Sequence, residues 1–342
     1  MVASERELID LPAFRIVNRA FVRKIIDAHL PEIRGVVRDA YIRYADGLSV
    51  NPLSGFLRFP DRPRDRIIAL PARDRGEGAD HAGIKWISSF PENIEKGLPR
   101  ASAIVILNEM ETGLPVACLE GSAISAARTA ASATLAAGAL HPRKDGQVLG
   151  IIGCGPIAKT VYQHLRADGW FFRYVTTFDL DEKRAHEFGA SLDGEDDVRI
   201  AGSVAEVADA ADLIVFATTA REPHFSDAHH ITPRHTVLHL SLRDLGTEIL
   251  LGAQNIVDDP EHAVREGTSV GFAVAEHGDT EIIAGTLAQI LTGTVAVDHE
   301  RPRIFSPFGL GVLDIAVASY VYDSAAASGQ GTEVLDFFAD SA

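Results

Sequence analysis

Four charged side chains stand where a chain seldom tolerates charge or where chemistry commonly gathers. Arg58 lies within Phe56-Leu57-Arg58-Phe59, and Lys85 within Gly83-Ile84-Lys85-Trp86-Ile87, both apolar runs that read as strands. Arg128 is the only charge between Gly121 and Leu140. An ion taken out of water must be paired or must face a cleft. For Arg58 and Lys85 taken singly, a structural ion pair or a snorkelling stem explains the pattern as well as a ligand role does. Arg128, on an otherwise apolar helix, points to an anion. Asp244, in Leu240-Ser241-Leu242-Arg243-Asp244-Leu245-Gly246, follows a predicted parallel strand. A carboxylate there could serve as general base if a lysine or a dry pocket tunes it, although Asp and Gly are also ordinary turn residues.

A second constellation binds rather than reacts. The apolar run Val148 to Ile152 breaks at Gly153-Cys154-Gly155-Pro156-Ile157-Ala158, a G-x-G-x-x-A turn opening a helix. Gly153 permits the tight turn, Gly155 lets backbone approach a pyrophosphate, and Ala158 lets helix and strand pack closely. Pro156 suits the first helical turn, where its missing N–H has no partner to lose, and the helix N-terminus with Ile157 faces the phosphates. The next apolar run, Tyr174 to Phe178, ends at Asp179, 26 residues beyond Gly153. That is near the spacing of the acid that holds an adenosine ribose, and it favours NAD over NADP.

These residues need elements to position them. Helical spacing covers residues 18 to 46, divided by Pro31. From Ser49 the period changes, and Gly55 to Phe59, Arg66 to Pro71, Ala82 to Ser88, Ala101 to Leu107 and Leu114 to Glu120 predict an antiparallel sheet, with a hairpin turn at 110–113. Gly121 to Leu140 reads as a long Ala-rich helix closed by His141-Pro142. From 147 to about 312 strands alternate with helices, including Leu213 to Thr218, Thr236 to Leu242 and Asn255 to Asp258, and Ser203 with Glu206 spells a capping box. Such alternation predicts a parallel sheet with ligand at the carboxyl ends of its strands. The apolar helix Gly311 to Tyr322 is expected to return to the first domain, with Leu335, Phe337 and Phe338 as a late anchor.

The bulk numbers narrow the partners. The 342 residues suffice for two domains. A net charge of −16 argues against nucleic acid or an anionic membrane, so an anionic substrate must be held by a local cluster of cations. Two cysteines, Cys118 and Cys154, make neither a disulfide scaffold nor a metal site. His229, His230 and His239 have no partner at metal-ligand spacing, and Glu276-His277-Gly278-Asp279 reads as a loop. The opening MVASERELID has no apolar core and no run is long enough to span a membrane, so the expectation is a cytoplasmic protein.

With Gly83-Ile84-Lys85-Trp86, Arg128-Thr129-Ala130-Ala131, the glycine turn and Ser306-Pro307-Phe308-Gly309 together, the chain resembles the ornithine cyclodeaminase/mu-crystallin family from about Asp39 to Tyr322. Within that family it is most similar to dehydrogenases that release 2,3-diaminopropionate from N-(2-amino-2-carboxyethyl)-glutamate, on Arg66 to Pro71, Gly83 to Ile87, Arg100 to Ser102 and Val257-Asp258-Asp259. The resemblance implies an α/β fold: a Rossmann-type doubly wound parallel sheet over 128–312, plus a discontinuous α+β substrate-binding and dimerisation domain over 1–127 and 313–342. It implies NAD, an amino-acid substrate and a homodimer. It assigns Arg58, Lys85 and Arg128 to substrate carboxylates, and Lys85 and Asp244 to catalysis. Arg128, Thr129, Gly153, Gly155, Pro156, Ile157, Asp179, Thr218 and Ser306 would border the cofactor. Cyclodeaminases carry Lys-Thr-Glu-Leu after their aspartate where this chain has Gly246-Thr247-Glu248-Ile249, which argues against ornithine cyclisation. Cyclodeamination, alanine-type deamination, ketimine reduction and a non-catalytic crystallin-like role are the alternatives.

Overall fold

The computed structural model describes residues 13–76, 79–192, 196–265 and 267–338. The strands are β1 (Phe14–Val17), β2 (Gly55–Phe59), β3 (Arg62–Gly76), β4 (Ala79–Ser89), β5 (Ala101–Glu109), β6 (Pro115–Glu120), β7 (Asp145–Ile152), β8 (Phe171–Phe178), β9 (Val198–Ile200), β10 (Leu213–Phe216), β11 (Thr236–His239), β12 (Gln254–Val257), β13 (Ile283–Thr286), β14 (Arg303–Ser306) and β15 (Thr332–Val334). They form two sheets, ordered β15-β1-β6-β5-β4-β3-β2 and β13-β12-β14-β11-β10-β7-β8-β9.

The second sheet is parallel at every described pairing. Strands β10, β11, β12 and β14 are buried along their whole length; β10 is accordingly apolar at every position, while β11, β12 and β14 also bury polar side chains such as His239, Asn255 and Arg303. β7 lies between β8 and β10, so the strand order reverses direction at the glycine turn, the place where open α/β sheets bind ligand. This is the doubly wound α/β architecture expected from the alternation of elements.

The first sheet departs from the antiparallel expectation. β2 to β6 pair antiparallel, but β1 joins β6 in parallel, and β15 returns antiparallel to β1. Both added strands are short, with too few residues to show a period. Phe14 stacks on Phe337 with ring centroids 4.4 Å apart, and Phe338 meets it edge-on, so the two aromatics anchor the tail; Leu335, expected with them, stays 74% exposed.

The helices are α1 (Arg19–Ala28), α2 (Leu30–Ala45), α3 (Gly121–Leu140), α4 (Pro156–Ala167), α5 (Glu182–Ala190), α6 (Val204–Ala210), α7 (Thr247–Leu251), α8 (Pro260–Ala263), α9 (Ser269–His277), α10 (Leu287–Leu291) and α11 (Gly311–Ala327). The break between α1 and α2 falls at His29, and Pro31 lies in the first turn of α2, where a missing N–H costs little. Glu206 does not close the capping box with Ser203: Ser203 accepts from Glu206 N, but the Glu206 carboxylate takes Gly202 N instead. Residues 276 and 277 complete α9, which ends on left-handed Gly278, so the expected loop begins only there.

α3 is small-residue throughout, so α2, α4 and α11 can all approach it closely, and its buried face joins the continuous core beneath both sheets. α11 lies across β3 and β4 as well as α2 and α3. The last long helix therefore completes the first layer, as its apolar composition requires.

Candidate functional site

Gly153 ends β7 with φ +87°, and a Cβ there would stand 2.7 Å from Ala217 O and 2.9 Å from Thr218 Cα. Only glycine permits this turn. Nothing lies within 4 Å of the Cβ position of Gly155, so the next peptide has an open approach. Gly155 is the N-cap of α4, with Pro156 in the first turn and no side chain capping the end, so the amides around Ile157 point outward unclaimed. Asp179, just past β8, accepts Cys154 N at 2.9 Å and Asp181 N at 3.0 Å, which places a carboxylate beside the turn. An uncapped helix end, an open glycine and an acid on the neighbouring strand fit a dinucleotide with a free ribose hydroxyl.

The same sheet edge carries Asp244, fully buried. Its Oδ2 lies 3.1 Å from His239 Nε2 and accepts from Ser241 Oγ. Its Oδ1 lies 3.0 Å from His224 Nε2 and accepts from the Thr218 hydroxyl, just beyond β10. His239 Nδ1 in turn lies 3.1 Å from Ser306 Oγ at the end of β14. Burial pushes the Asp244 carboxyl up. The hydrogen bonds of His224 and His239, the charge of His239 and the bond from Ser241 outweigh burial and hold the carboxyl well below the usual carboxylate range. Such a carboxylate keeps its charge at neutral pH and takes a proton poorly. Leu242 carries the turn between Ser241 and Asp244 at φ +73°, the only non-glycine positive φ among the described residues. A side chain in that region costs on the order of 1–3 kcal/mol and is held there only by its surroundings; Leu242 O accepts Ser269 N at 2.7 Å.

Lys85 and Arg128 come together on a third residue. Lys85 Nζ lies 2.6 Å from Asp314 Oδ2, and Arg128 Nε lies 3.2 Å from Asp314 Oδ1. Lys85 also donates to Ser125 Oγ at 3.1 Å. Burial lowers the Lys85 ammonium to about 8 against the opposing pull of Asp314, and the charge of Arg128 adds to the lowering. The Arg128 guanidinium lies against Gly309: a Cβ there would come within 2.7 Å of its Nη1. Gly309 N and Phe308 N donate to buried Asp258 at 2.6 and 3.0 Å, so the Ser306–Gly309 loop is fixed from below. Thr129 donates to Ser125 O within α3.

Arg58 is placed apart. It is exposed on the edge strand β2, opposite Arg66, whereas Lys85 is opposite Leu70 four residues further along β3. Its guanidinium sits over the Phe56 ring at 4.9 Å. The structure thus gathers Lys85 with Arg128 and, on the sheet edge, Gly153, Thr218, Asp244 and Ser306. Three further residues join these two groups: Asp314 pairs with Lys85 and Arg128, His224 contacts Asp244, and Asp258 holds the loop that carries Gly309. Asp314 is the only charge between Gly311 and Tyr322, the same signal that singles out Arg128. His224 gives no signal in sequence, because its partner is found only in the folded chain.

Alanine dehydrogenase from Archaeoglobus fulgidus is 31% identical over 324 residues, 90% of this chain and 94% of that protein. N-((2S)-2-amino-2-carboxyethyl)-L-glutamate dehydrogenase from Staphylococcus aureus is 29% identical over 330 residues, 92% of this chain and 96% of that one. A solved archaeal alanine dehydrogenase dimer with bound NAD matches with a TM-score of 0.85 at 28% identity, over 95% of this chain and 100% of that chain. Residues 25–329 match the ornithine cyclodeaminase/mu-crystallin family, and the chain belongs to that family.

Proposed function

We propose that the chain oxidises N-(2-amino-2-carboxyethyl)-L-glutamate and splits it into 2,3-diaminopropionate and 2-oxoglutarate, serving siderophore or peptide-antibiotic assembly. The coarser activity is plain from its relatives: an NAD-dependent oxidoreductase acting on the CH–NH bond of an amino acid. NAD, when bound, supplies the hydride acceptor. The observation that carries the finer reading is the pair of cations on Asp314. Two positive groups sharing one carboxylate leave one net positive charge buried in a protein of net charge −16. A carboxylate-rich substrate would complete that balance. Lys85 and Arg128 would hold substrate carboxylates, with Arg58 the most distant candidate for a further one. Ser306 and Thr218 would border the nicotinamide side, and Gly153 to Ile157 with Asp179 the pyrophosphate and adenosine side.

Oxidative deamination of alanine is the second reading, favoured by the 31% identity to the Archaeoglobus enzyme. The assay that separates them follows NADH absorbance with NAD and either the glutamate conjugate, L-alanine or L-ornithine. NADH with 2-oxoglutarate from the conjugate alone carries the reading. NADH with pyruvate from alanine alone overturns it.

We also propose a cytoplasmic homodimer joined through the outer face of the first sheet, where Leu57, Trp86 and Ile104 lie exposed. Among the described residues no helix is long and apolar enough to cross a membrane.

A further inference from the structure

We propose that His224 is the acid–base residue of this site and that Asp244 is its positioning carboxylate. The inference rests on the reading above that a C–N bond is oxidised and then hydrolysed. Asp244 is a poor candidate to move protons itself. It is 0% exposed, and both its oxygens are engaged, by Thr218 and His224 on one side and by Ser241 and His239 on the other. A fixed carboxylate of this kind suits an adjacent imidazole instead, orienting its ring and fixing which nitrogen carries the proton.

Two histidines flank Asp244, and their surroundings differ. His239 is fully buried, with Nε2 on Asp244 and Nδ1 on Ser306, so neither nitrogen is open. The His224 side chain is 36% exposed and engages Asp244 through Nε2 alone; among the described residues its Nδ1 has no partner. A neutral imidazole donating Nε2–H to Asp244 Oδ1 presents the Nδ1 lone pair outward. The backbone holds the ring there: His224 N and Phe225 N both donate to Asp244 O, at 3.0 and 2.9 Å. The loop carrying the histidine and the turn carrying the carboxylate are therefore tied at main chain and side chain alike. All this lies beyond the carboxyl ends of β10 and β11, at the sheet edge that also holds Gly153 and Ser306.

The step balances without any further reagent. Once the carbon–nitrogen bond has been oxidised to the imine, the oxygen of a water bonds to the imine carbon while His224 Nδ1 accepts the water proton. That proton passes to the imine nitrogen, giving the carbinolamine; the imidazole then takes the carbinolamine hydroxyl proton and hands it to the same nitrogen as the C=O bond forms and the C–N bond breaks. The 2-oxo acid and the amine leave, and the imidazole returns neutral. No electrons are exchanged in this half of the reaction.

The test uses the full-length protein with two independent readouts. His224→Gln is expected to bind NAD within about twofold of wild type and to unfold at the same temperature, while kcat falls on the order of 100-fold or more with little change in KM. His224→Gly is expected to regain activity with added imidazole. A kcat for His224→Gln within threefold of wild type, on whichever substrate yields NADH, overturns the proposal, as does a failure of imidazole to rescue. Nitrogen-15 NMR of the histidine rings needs no substrate. His224 is expected in the Nε2–H form, shifting towards mixed tautomers in Asp244→Asn, and an unchanged His224 signal overturns the dyad. A switch of preference to alanine with the His224 effect intact would refute the substrate reading alone.

Discussion

Lys85 and Asp314 form an ion pair of 2.6 Å with both side chains almost sealed from water, at 2% and 0% exposure. They lie 229 residues apart, on β4 and α11, and the pair ties the returning helix to the first sheet. Asp314 also holds Arg128 of α3, so one carboxylate orients cations from two other elements. Removing it would leave the buried Lys85 ammonium and the part-buried Arg128 guanidinium without this counter-charge. Asp314→Asn is expected to destabilise the fold by about 3–5 kcal/mol, read as a lowered denaturant midpoint with unchanged m-value. A loss under about 1 kcal/mol would mean the pair is hydrated in solution.

The ammonium of Lys85 gives the site an alkaline limit. Its folded pKa of about 8 lies below the usual 10.5 because of burial, so the folded chain releases this proton first. Between those values the unfolded chain holds more protons, and this group's contribution to stability rises with pH through that window. If Lys85 holds a substrate carboxylate as proposed, its contribution to binding runs the other way, since the charge is lost. With wild type, kcat/KM is expected to fall as pH rises through about 8, approaching tenfold per unit. In Lys85→Arg, which keeps its charge, the limb should vanish. An identical limb in both proteins would assign it to another group.

Asp179 tests cofactor choice. Asp179→Asn keeps an oxygen to accept Cys154 N but removes the charge beside the expected ribose. The Kd for NAD should rise about tenfold, and the ratio of kcat/KM for NAD over NADP should fall by at least as much. Unchanged discrimination would place the ribose elsewhere.

Ile104 lies on the outer face of the first sheet, 41% exposed, paired across strands with Trp86 at 40%. Ile104→Arg is expected to convert a dimer to a monomer in sedimentation, with the far-UV spectrum intact. A dimer that persists would move the interface to another surface.

Local patterns in the sequence reveal the local units. The β7–turn–α4 unit, the bounds of α3 and the odd charges at Lys85 and Arg128 are all legible, because each is written within a few neighbouring residues. Asp314 was within reach of the same reasoning, as the lone charge in an apolar stretch. The parallel pairing of β1 with β6 was not, since four residues show no period and the partner lies about a hundred residues away. Nor was the His224–Asp244 contact, where a histidine after a proline meets a carboxylate 20 residues on through a loop geometry that no spacing encodes. His239 looked idle as a metal ligand; folding gives it Asp244 and Ser306.

The contact between Arg128 and Gly309 constrains how this protein can change by mutation. The guanidinium occupies the space that any side chain at 309 would need, and the φ of +103° there already excludes most residues. On the role proposed for Arg128, a substitution at 309 would disturb the binding of a substrate carboxylate without touching a charge, and shortening residue 128 would relieve part of the cost of the change at 309. In a double-mutant cycle the two changes should fall well short of additivity. Two positions 181 residues apart are coupled through this one contact, and a scan that varies them one at a time would assign to the backbone a loss that comes from displacing the guanidinium.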